Sequence, residues 1–220
     1  GNSNDCTFNV VDQTAPVVTC PASQQVGVNA SCAFTLVNYT LSATATDNCG
    51  SVTMVQSPAI GSVITSATPV TITAEDQYGN TSSCTFTLTP IDNVAPSISC
   101  IGNQTAFYNA NCEFEVASYV GQIVSTDNCD LSVDVVQSPA AGSFVSGVTP
   151  ITMTGTDDAG NTISCSFSVT PSDNQPPAIT CPSTQDADFD ANCEFALQDY
   201  TGLGVAVDNC SATTITQSPV

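Results

Sequence analysis

The sequence predicts an all-β protein built from tandem, disulfide-stabilised β-sandwich repeats of about 80 residues. Three observations support this: a long segment recurs along the chain, the apolar residues fall in short alternating runs, and the cysteines keep the same spacing. The segment GNTSSCTFTLTPIDNVAPSISC at 79–100 recurs as GNSNDCTFNVVDQTAPVVTC at 1–20 and as GNTISCSFSVTPSDNQPPAITC at 160–181. Because this segment ends one copy and begins the next, the chain is an array.

The spacing of this segment divides the chain. Asp12, Asp92 and Asp173 open successive copies. We predict the last strand of a preceding repeat at 1–11, complete repeats at 12–91 and 92–172, and the first part of a third repeat at 173–220. The chain carries no signal peptide, so the sequence predicts an internal piece of a mature protein.

Strand signals within the first repeat are short and separated by turn residues. They are PVVTC, CAFTLVNY, SVTMVQ, GSVIT, PVTITAED and SCTFTLT. Six or seven strands in this length are typical of two antiparallel sheets packed on a thin core. Alternation predicts that Cys84, Phe86 and Leu88 face the core, as do Cys165, Phe167 and Val169 in the next repeat.

The composition excludes several classes of function. Lysine, arginine and histidine are absent, and 20 Asp and Glu residues give a net charge of −20. Such a chain cannot neutralise phosphates, so we expect no nucleic-acid partner, and no apolar run is long enough for membrane insertion. The absence of a histidine base or a lysine nucleophile also argues against an enzyme. Charged residues are only 9% and apolar residues 41%, which favours a folded chain over disorder.

Twelve cysteines at regular spacing predict disulfides and an extracellular location, either secreted or on a cell surface. Four cysteines in a repeat allow three pairings. Assuming that the strands run up and down between two poles, we predict bonds within repeats: Cys20–Cys32, Cys49–Cys84, Cys100–Cys112, Cys129–Cys165 and Cys181–Cys193. Cys6 and Cys210 are then left unpaired. Either their partners lie in neighbouring sequence, or they form disulfides between chains.

Four motifs of the first repeat resemble the hyalin repeat (HYR) family. They are Asp-x-x-Ala-Pro-x-x-x-Cys-Pro at 12–21, Asp-Asn-Cys at 47–49, Gln-Ser-Pro-Ala-x-Gly at 56–61, and Asp-x-x-Gly-Asn followed by Cys-x-Phe at 76–86. The resemblance covers essentially the whole chain. It implies immunoglobulin-like sandwiches used as tandem modules in extracellular adhesion proteins, with no catalytic or cofactor residues.

The acidic residues are the candidate metal ligands, and the first repeat contains few of them. Under the same two-pole assumption they gather at one end of the sandwich, beside the preceding repeat. Calcium takes six to eight oxygen ligands, which carboxylates from several loops can supply. The candidate ligands are Asp12, Asp47, Asp76, Asp92, Asp127, Asp157, Asp158, Asp173 and Asp208. An equally weighted interpretation is that these residues only form turns, because Asp and Asn bond to nearby backbone.

Three functions remain open at this level. The first is a structural and adhesive stalk or filament, stiffened by calcium at the junctions, whose partners are neighbouring repeats or other copies in a fibre. The second is a module that binds a glycan or a protein through its loops. The third is a non-catalytic appendage of a secreted enzyme.

Overall fold

The computed structural model describes residues 9–218, and this part of the chain is built from short strands. The first repeat contains β1 (Val17–Thr19), β2 (Gln24–Gly27), β3 (Phe34–Thr35), β4 (Thr44–Thr46), β5 (Val52–Ser57), β6 (Val63–Ile64), β7 (Thr68–Asp76) and β8 (Thr81–Ile91). The second repeats the pattern as β9 (Ser97–Ser99), β10 (Gln104–Phe107), β11 (Phe114–Glu115), β12 (Val124–Thr126), β13 (Asp134–Ser138), β14 (Phe144–Val145), β15 (Thr149–Thr156) and β16 (Thr162–Ser172). Next come β17 (Ala178–Thr180) and β18 (Val205–Val207), and single 3-10 turns lie at Val120–Gln122 and Thr201–Leu203.

In the first repeat, a four-stranded sheet of order β2-β8-β7-β5 packs against the pairs β1-β4 and β3-β6. Alternation along β7 and β8 turns every second side chain inward, where Val70, Ile72, Phe86 and Leu88 are almost fully buried. The Tyr39 ring packs edge-on against Phe86 with centroids 5.2 Å apart. The result is an immunoglobulin-like sandwich with one thin core.

The second repeat has the same topology, with the sheet β10-β16-β15-β13 and the pairs β9-β12 and β11-β14. Its core contains Ile151, Met153, Phe167 and Val169 at the matching inward positions. In the third repeat, β17 pairs with β18 in the same way that β1 pairs with β4. The all-β sandwich and its predicted core faces are therefore confirmed.

The described chain forms two compact units. The first extends to Pro96 and also contains Thr126–Val133 and Thr156–Thr162. The second contains Ser97–Ser125, Asp134–Gly155 and the chain from Ile163 onward. Two loops of the second sequence repeat thus belong to the first compact unit.

Two strands of the first repeat, β2 and β4, were not predicted. β2 and β4 have Gln-Gln-Val-Gly and Thr-Ala-Thr sequences, which carry little strand signal. β2 also lies parallel to β8, whereas we expected antiparallel sheets throughout. The chain leaves the pair β1-β4 after Cys20 and crosses to the other sheet, so β2 enters that sheet beside β8 in the same direction.

The predicted disulfide pairing is wrong. The bonds are Cys20–Cys84, Cys32–Cys129, Cys100–Cys165 and Cys112–Cys210, while Cys49, Cys181 and Cys193 are exposed free thiols. Cys210 is therefore bonded, contrary to expectation, and Cys6 lies outside the described residues.

The position of Cys84 explains the error. Its side chain shares the inward face of β8 with Phe86 and Leu88, so it meets a cysteine from the opposite sheet rather than one at the pole. Cys20 follows β1 in that opposite sheet, and the two Cα atoms lie 5.7 Å apart. Cys100–Cys165 repeats this link between sheets with a Cα separation of 5.9 Å. Cys32 and Cys112 are consequently left to bond with the Asp-Asn-Cys loop of the following repeat.

Among the residues that the structure describes, no helix has the length and apolar character needed to cross a membrane.

Candidate cation sites

The first acidic cluster consists of Asp12, Asp47 and Asp76. One carboxylate oxygen from each lies within 4.8 Å of the others. Asp12 lies in the connector before β1, Asp47 in the loop after β4, and Asp76 at the end of β7. Three segments that are distant in sequence therefore bring their carboxylates together.

The second acidic cluster repeats this arrangement with one more member. Asp92, Asp127 and Asp157 occupy the matching positions, and Asp130 joins them within the same 4.8 Å limit. All four belong to the first compact unit. Cys129 also lies near this cluster, but its sulfur is bonded to Cys32 and is not a free thiolate.

The strand period explains why Asp76 and Asp157 are buried. In β7 the inward positions are Val70, Ile72 and Ala74, and Asp76 is the next inward position. Asp157 continues the inward row of β15 in the same way. Each carboxylate is only 6% exposed, so the core face of a strand ends in a buried acid. We predicted Asp76 as a turn residue and missed this inward position, although the alternation could have shown it.

Asparagine side chains hold these two buried carboxylates. Asn80 donates to Asp76 Oδ2 at 2.7 Å through Nδ2 and to Asp76 Oδ1 at 2.9 Å through its backbone N–H. Asn161 donates to the two oxygens of Asp157 at 2.8 and 2.7 Å in the same way. Asn80 Nδ2 also donates to the Asp12 carbonyl at 3.0 Å, which ties the hairpin to the connector.

These contacts set the protonation of the buried acids. Burial raises the pKa of Asp76, but the hydrogen bonds from Asn80, Tyr78 and Gly79 outweigh it and hold the pKa below its ordinary value. Burial likewise raises the pKa of Asp157, but the hydrogen bonds from Asn161, Gly160 and Ala159 lower it by more, so the pKa lies below its ordinary value. Both residues are therefore carboxylates near neutral pH.

The remaining acids of the clusters each use only one oxygen in a turn. Oδ1 of Asp12, Asp47, Asp92 and Asp127 accepts a backbone N–H two residues ahead, at 2.8 to 3.0 Å. Oδ2 of all four is buried and has no hydrogen-bond partner among the described residues. The turn interpretation thus accounts for one oxygen of each residue and leaves the other unexplained.

A buried polar atom without a partner is unfavourable, and a buried carboxylate oxygen especially so. Here four such oxygens lie in two clusters of like charge, in a chain without a lysine, arginine or histidine. A divalent cation would satisfy the unpartnered oxygens and offset the repulsion among the carboxylates. The residues present therefore fit an oxygen-liganded cation.

The other predicted ligands are not members of these clusters. Asp158 is exposed, and its backbone N–H donates to Asp130 Oδ2 at 2.8 Å. Asp173 accepts the Ser211 hydroxyl at 3.1 Å, and Asp208 accepts the Cys210 and Ser211 N–H groups. In the described chain, Asp173 and Asp208 form no group of three acids. Asp130 was not among the predicted ligands, because the first repeat has Gly50 at the matching position.

The fold and its bonds define a class: tandem immunoglobulin-like sandwiches, each with a disulfide between its two sheets and acidic clusters at the connectors. The HYR domain model matches residues 11–90 and 91–171. The chain therefore belongs to the HYR family.

Two relatives are sea-urchin proteins named Hyalin. The one from Strongylocentrotus purpuratus is 31% identical over 187 residues, which is 80% of this chain and 15% of that protein. The one from Lytechinus variegatus is 31% identical over 203 residues, which is 84% of this chain and 37% of that protein. The chain thus spans well under half of each relative.

Several solved structures are also similar. The crystal structure of human CDH23 EC21-23 matches with a TM-score of 0.38 and 14% identity, over 90% of this chain and 81% of that one. Drosophila N-cadherin EC1-4 matches with a TM-score of 0.36 and 12% identity, over 73% of this chain and 50% of that one.

Proposed function

We propose that this chain is a structural and adhesive segment of a large extracellular repeat protein, and that calcium at the two acidic clusters stiffens it. The proposal is supported by HYR-family membership, by the similarity to Hyalin and by disulfides that join consecutive sequence repeats. The disulfides are consistent with an oxidising, extracellular environment. The role is mechanical rather than enzymatic.

The unpartnered Oδ2 atoms of Asp12, Asp47, Asp92 and Asp127 carry the calcium part of this proposal. Calcium accepts a flexible shell of oxygen ligands, whereas magnesium demands near-ideal octahedral geometry and holds on to its waters. The first site would be held by Asp12, Asp47 and Asp76, and the second by Asp92, Asp127, Asp130 and Asp157. Main-chain carbonyls and water complete such shells.

The mechanical effect follows from the segments that the ligands occupy. Asp92 lies in the connector between the first and second sequence repeats, Asp127 in a loop and Asp157 in a hairpin turn. A bound ion would restrain all three segments at once. Without the ion, repulsion among the carboxylates favours their separation, so the connector loses a restraint.

Calcium titration and thermal unfolding of the 220-residue chain test the cation sites. We expect two bound ions, and removal by chelator should lower the melting temperature. At a calcium concentration about 100 times Kd, each bound ion contributes about 2.7 kcal/mol, which corresponds to a shift of roughly 10 °C per site. Asp76→Asn with Asp157→Asn should abolish most of this shift.

Asp158→Asn is the matched control, since Asp158 is exposed and lies outside the cluster. This variant should bind two ions with unchanged affinity. An unchanged melting temperature in chelator, or equal effects of the control and the cluster variants, would refute the calcium sites.

The structural role is tested by electron microscopy of the native assembly with and without chelator. We expect straighter particles in calcium and more bent ones in chelator. A flexible string of beads in calcium would contradict the stiffening role. Self-assembly into fibres and binding of a glycan or protein ligand remain predictions, to be separated by a glycan array and a partner pull-down.

A further inference from the structure

Two of the four disulfides join different sequence repeats, and both use the same two kinds of cysteine. We define the turn cysteines as Cys32, Cys112 and Cys193, and the loop cysteines, which end the Asp-Asn-Cys motifs, as Cys49, Cys129 and Cys210. In both bonds the turn cysteine of one repeat is joined to the loop cysteine of the next, 97 or 98 residues further along. Each bond therefore closes a covalent loop that contains the connector between two repeats.

The order of the cysteines within a repeat makes these two covalent loops overlap. In the second repeat, the turn cysteine Cys112 precedes the loop cysteine Cys129. The covalent loop closed by Cys32–Cys129 thus ends only after the one closed by Cys112–Cys210 has begun. Every peptide bond between Cys32 and Cys210 consequently lies inside at least one of them. With the opposite order, a stretch of backbone between the two cysteines would lie outside both.

The connectors are the segments to which this arrangement matters most. Asn93, Val94 and Ala95 are exposed between the first and second repeats, and residues 174–177 are exposed between the second and third. Exposed segments without regular structure are preferred sites of proteolytic cleavage. We propose that the inter-repeat bonds are a covalent bypass of the connectors, which keeps the chain one molecule after a connector is cut and limits its lengthening under load. This role requires no bound calcium, so it is tested separately from the calcium sites.

The bonds between the two sheets of a repeat cannot perform this role. Cys20–Cys84 ends before the connector at 92–96, and Cys100–Cys165 begins after it. A cut at Val94 would leave each of these bonds within one fragment. Among the disulfides of the described chain, Cys32–Cys129 is the one that holds both sides of this connector.

Both inter-repeat bonds form in the same local geometry. The bonded turn cysteines have φ values of 54° and 60°, a left-handed conformation that non-glycine residues seldom adopt. Their N–H groups donate to the carbonyls of Asn29 and Asn109 at 3.0 and 3.1 Å. The same two carbonyls accept Asn128 Nδ2 at 3.2 Å and Asn209 Nδ2 at 3.0 Å from the Asp-Asn-Cys loops of the following repeats. The bypass is therefore a repeated element of this fold.

The absence of lysine and arginine makes a sharp test possible, because trypsin cuts only after these residues. In the full 220-residue chain, Val94→Arg creates a single trypsin site in an exposed connector. The cysteines outside the four bonds are changed to Ser, namely Cys6, Cys49, Cys181 and Cys193. After digestion, the chain should gain the mass of one water and run as one band on a non-reducing denaturing gel. Two fragments should appear only after a reducing agent is added.

Two pairs of substitutions identify the bond responsible. Cys32→Ser with Cys129→Ser should let the fragments separate without a reducing agent. Cys112→Ser with Cys210→Ser is the matched control and should leave them joined. Fragments that separate in the parent, or that stay joined after loss of Cys32–Cys129, would overturn the bypass.

Moving the cut to the next connector should exchange the roles of the two pairs. With Asn174→Arg in place of Val94→Arg, loss of Cys112–Cys210 should release the fragments, and loss of Cys32–Cys129 should not. If a folded variant resists trypsin, digestion in urea exposes the site without breaking disulfides, so the result does not depend on the stability of the variant. An unchanged pattern after the move would contradict one bypass for each connector.

Force spectroscopy on the chain held at its two ends tests the effect under load. The oxidised parent should stop lengthening at about 200 Å, because its shortest covalent route contains about 57 residues of at most ~3.5 Å each. Without both inter-repeat bonds the limit should rise to about 320 Å, and in the fully reduced parent to about 770 Å. The control without both inter-sheet bonds should again stop at about 200 Å. Equal limits for these two variants would refute the bypass under load.

Discussion

The two acidic clusters differ although their motifs match. Both contain a connector Asp, an Asp of the Asp-Asn-Cys motif and a buried hairpin Asp, but the second adds Asp130 where the first has Gly50. The loop of the second cluster is also bonded through Cys129, whereas Cys49 is free. Matching motifs thus build sites of different charge.

The difference has a physical origin in the loop after the cysteine. Gly50 has a φ of 118°, and a Cβ built there would lie 2.6 Å from Gln77 Nε2. Gln77 itself donates to the Cys49 carbonyl at 3.1 Å. In the second repeat, Asp130 instead accepts the Asp158 N–H at 2.8 Å, which links the loop to the hairpin. We therefore expect tighter calcium binding at the second cluster.

The largest effect should come from removing the bond that distinguishes the clusters. Cys32→Ser with Cys129→Ser should lower the free energy of unfolding by about 2–4 kcal/mol, because the unfolded chain gains freedom. The double substitution should also lower the calcium affinity of the second cluster toward the affinity of the first. Denaturant unfolding and calcium titration measure the two effects. Cys49→Ser is the control and should change neither.

Removal of a buried hairpin acid should have the next largest effect. Asp157→Asn should weaken calcium binding at the second cluster by about tenfold or more, since affinity follows the number of charged ligands. Asp76→Asn should do the same at the first cluster. Site-resolved NMR titration of the backbone amides assigns each loss to its cluster. An equal loss at both clusters from one substitution would contradict two separate sites.

Exchange of the residue after the loop cysteine tests the origin of the difference. Asp130→Gly should reduce affinity at the second cluster by several-fold, up to about tenfold, through the loss of one carboxylate. The reverse change, Gly50→Asp, should not strengthen the first cluster. Its backbone is in the left-handed region and Gln77 occupies the space, so we expect destabilisation instead. A gain in affinity from Gly50→Asp would refute this account.

Acid sensitivity without calcium should be the smallest effect and should not distinguish the clusters. The folded pKa values of Asp76 and Asp157 lie below that of an unfolded Asp, about 3.9. Their contribution to stability is therefore present above about pH 4 and is lost as pH falls through the folded pKa. Between about pH 2 and 5, the free energy of unfolding should depend less steeply on pH in Asp76→Asn and in Asp157→Asn, and to a similar extent in both. Denaturant unfolding at a series of pH values measures this slope.

Particular residues show how far sequence reasoning reached. Period-two alternation correctly placed Phe86, Leu88, Phe167 and Val169 in the cores. Recurring Asp residues at equal spacing correctly pointed to acids that share a location, and six of the nine predicted ligands belong to the clusters. Of the other three predictions, Asp158 is the exposed neighbour of Asp157, and repeat spacing cannot tell these two apart. Asp173 and Asp208 are half-buried at the positions matching Asp92 and Asp127, but in the described chain they form no group of three acids.

The sequence alone determined the architecture and the compositional limits, because alternation, turn residues and charge are local or additive properties. The choice of disulfide partners and the membership of each acidic cluster were decided only by the tertiary structure. Both depend on which residues meet after the chain has crossed from one sheet to the other. That crossing leads into strand β2, whose sequence gives little indication of a strand. Cysteine spacing showed the length of the repeat, but it could not show that Cys32 of one repeat bonds with Cys129 of the next.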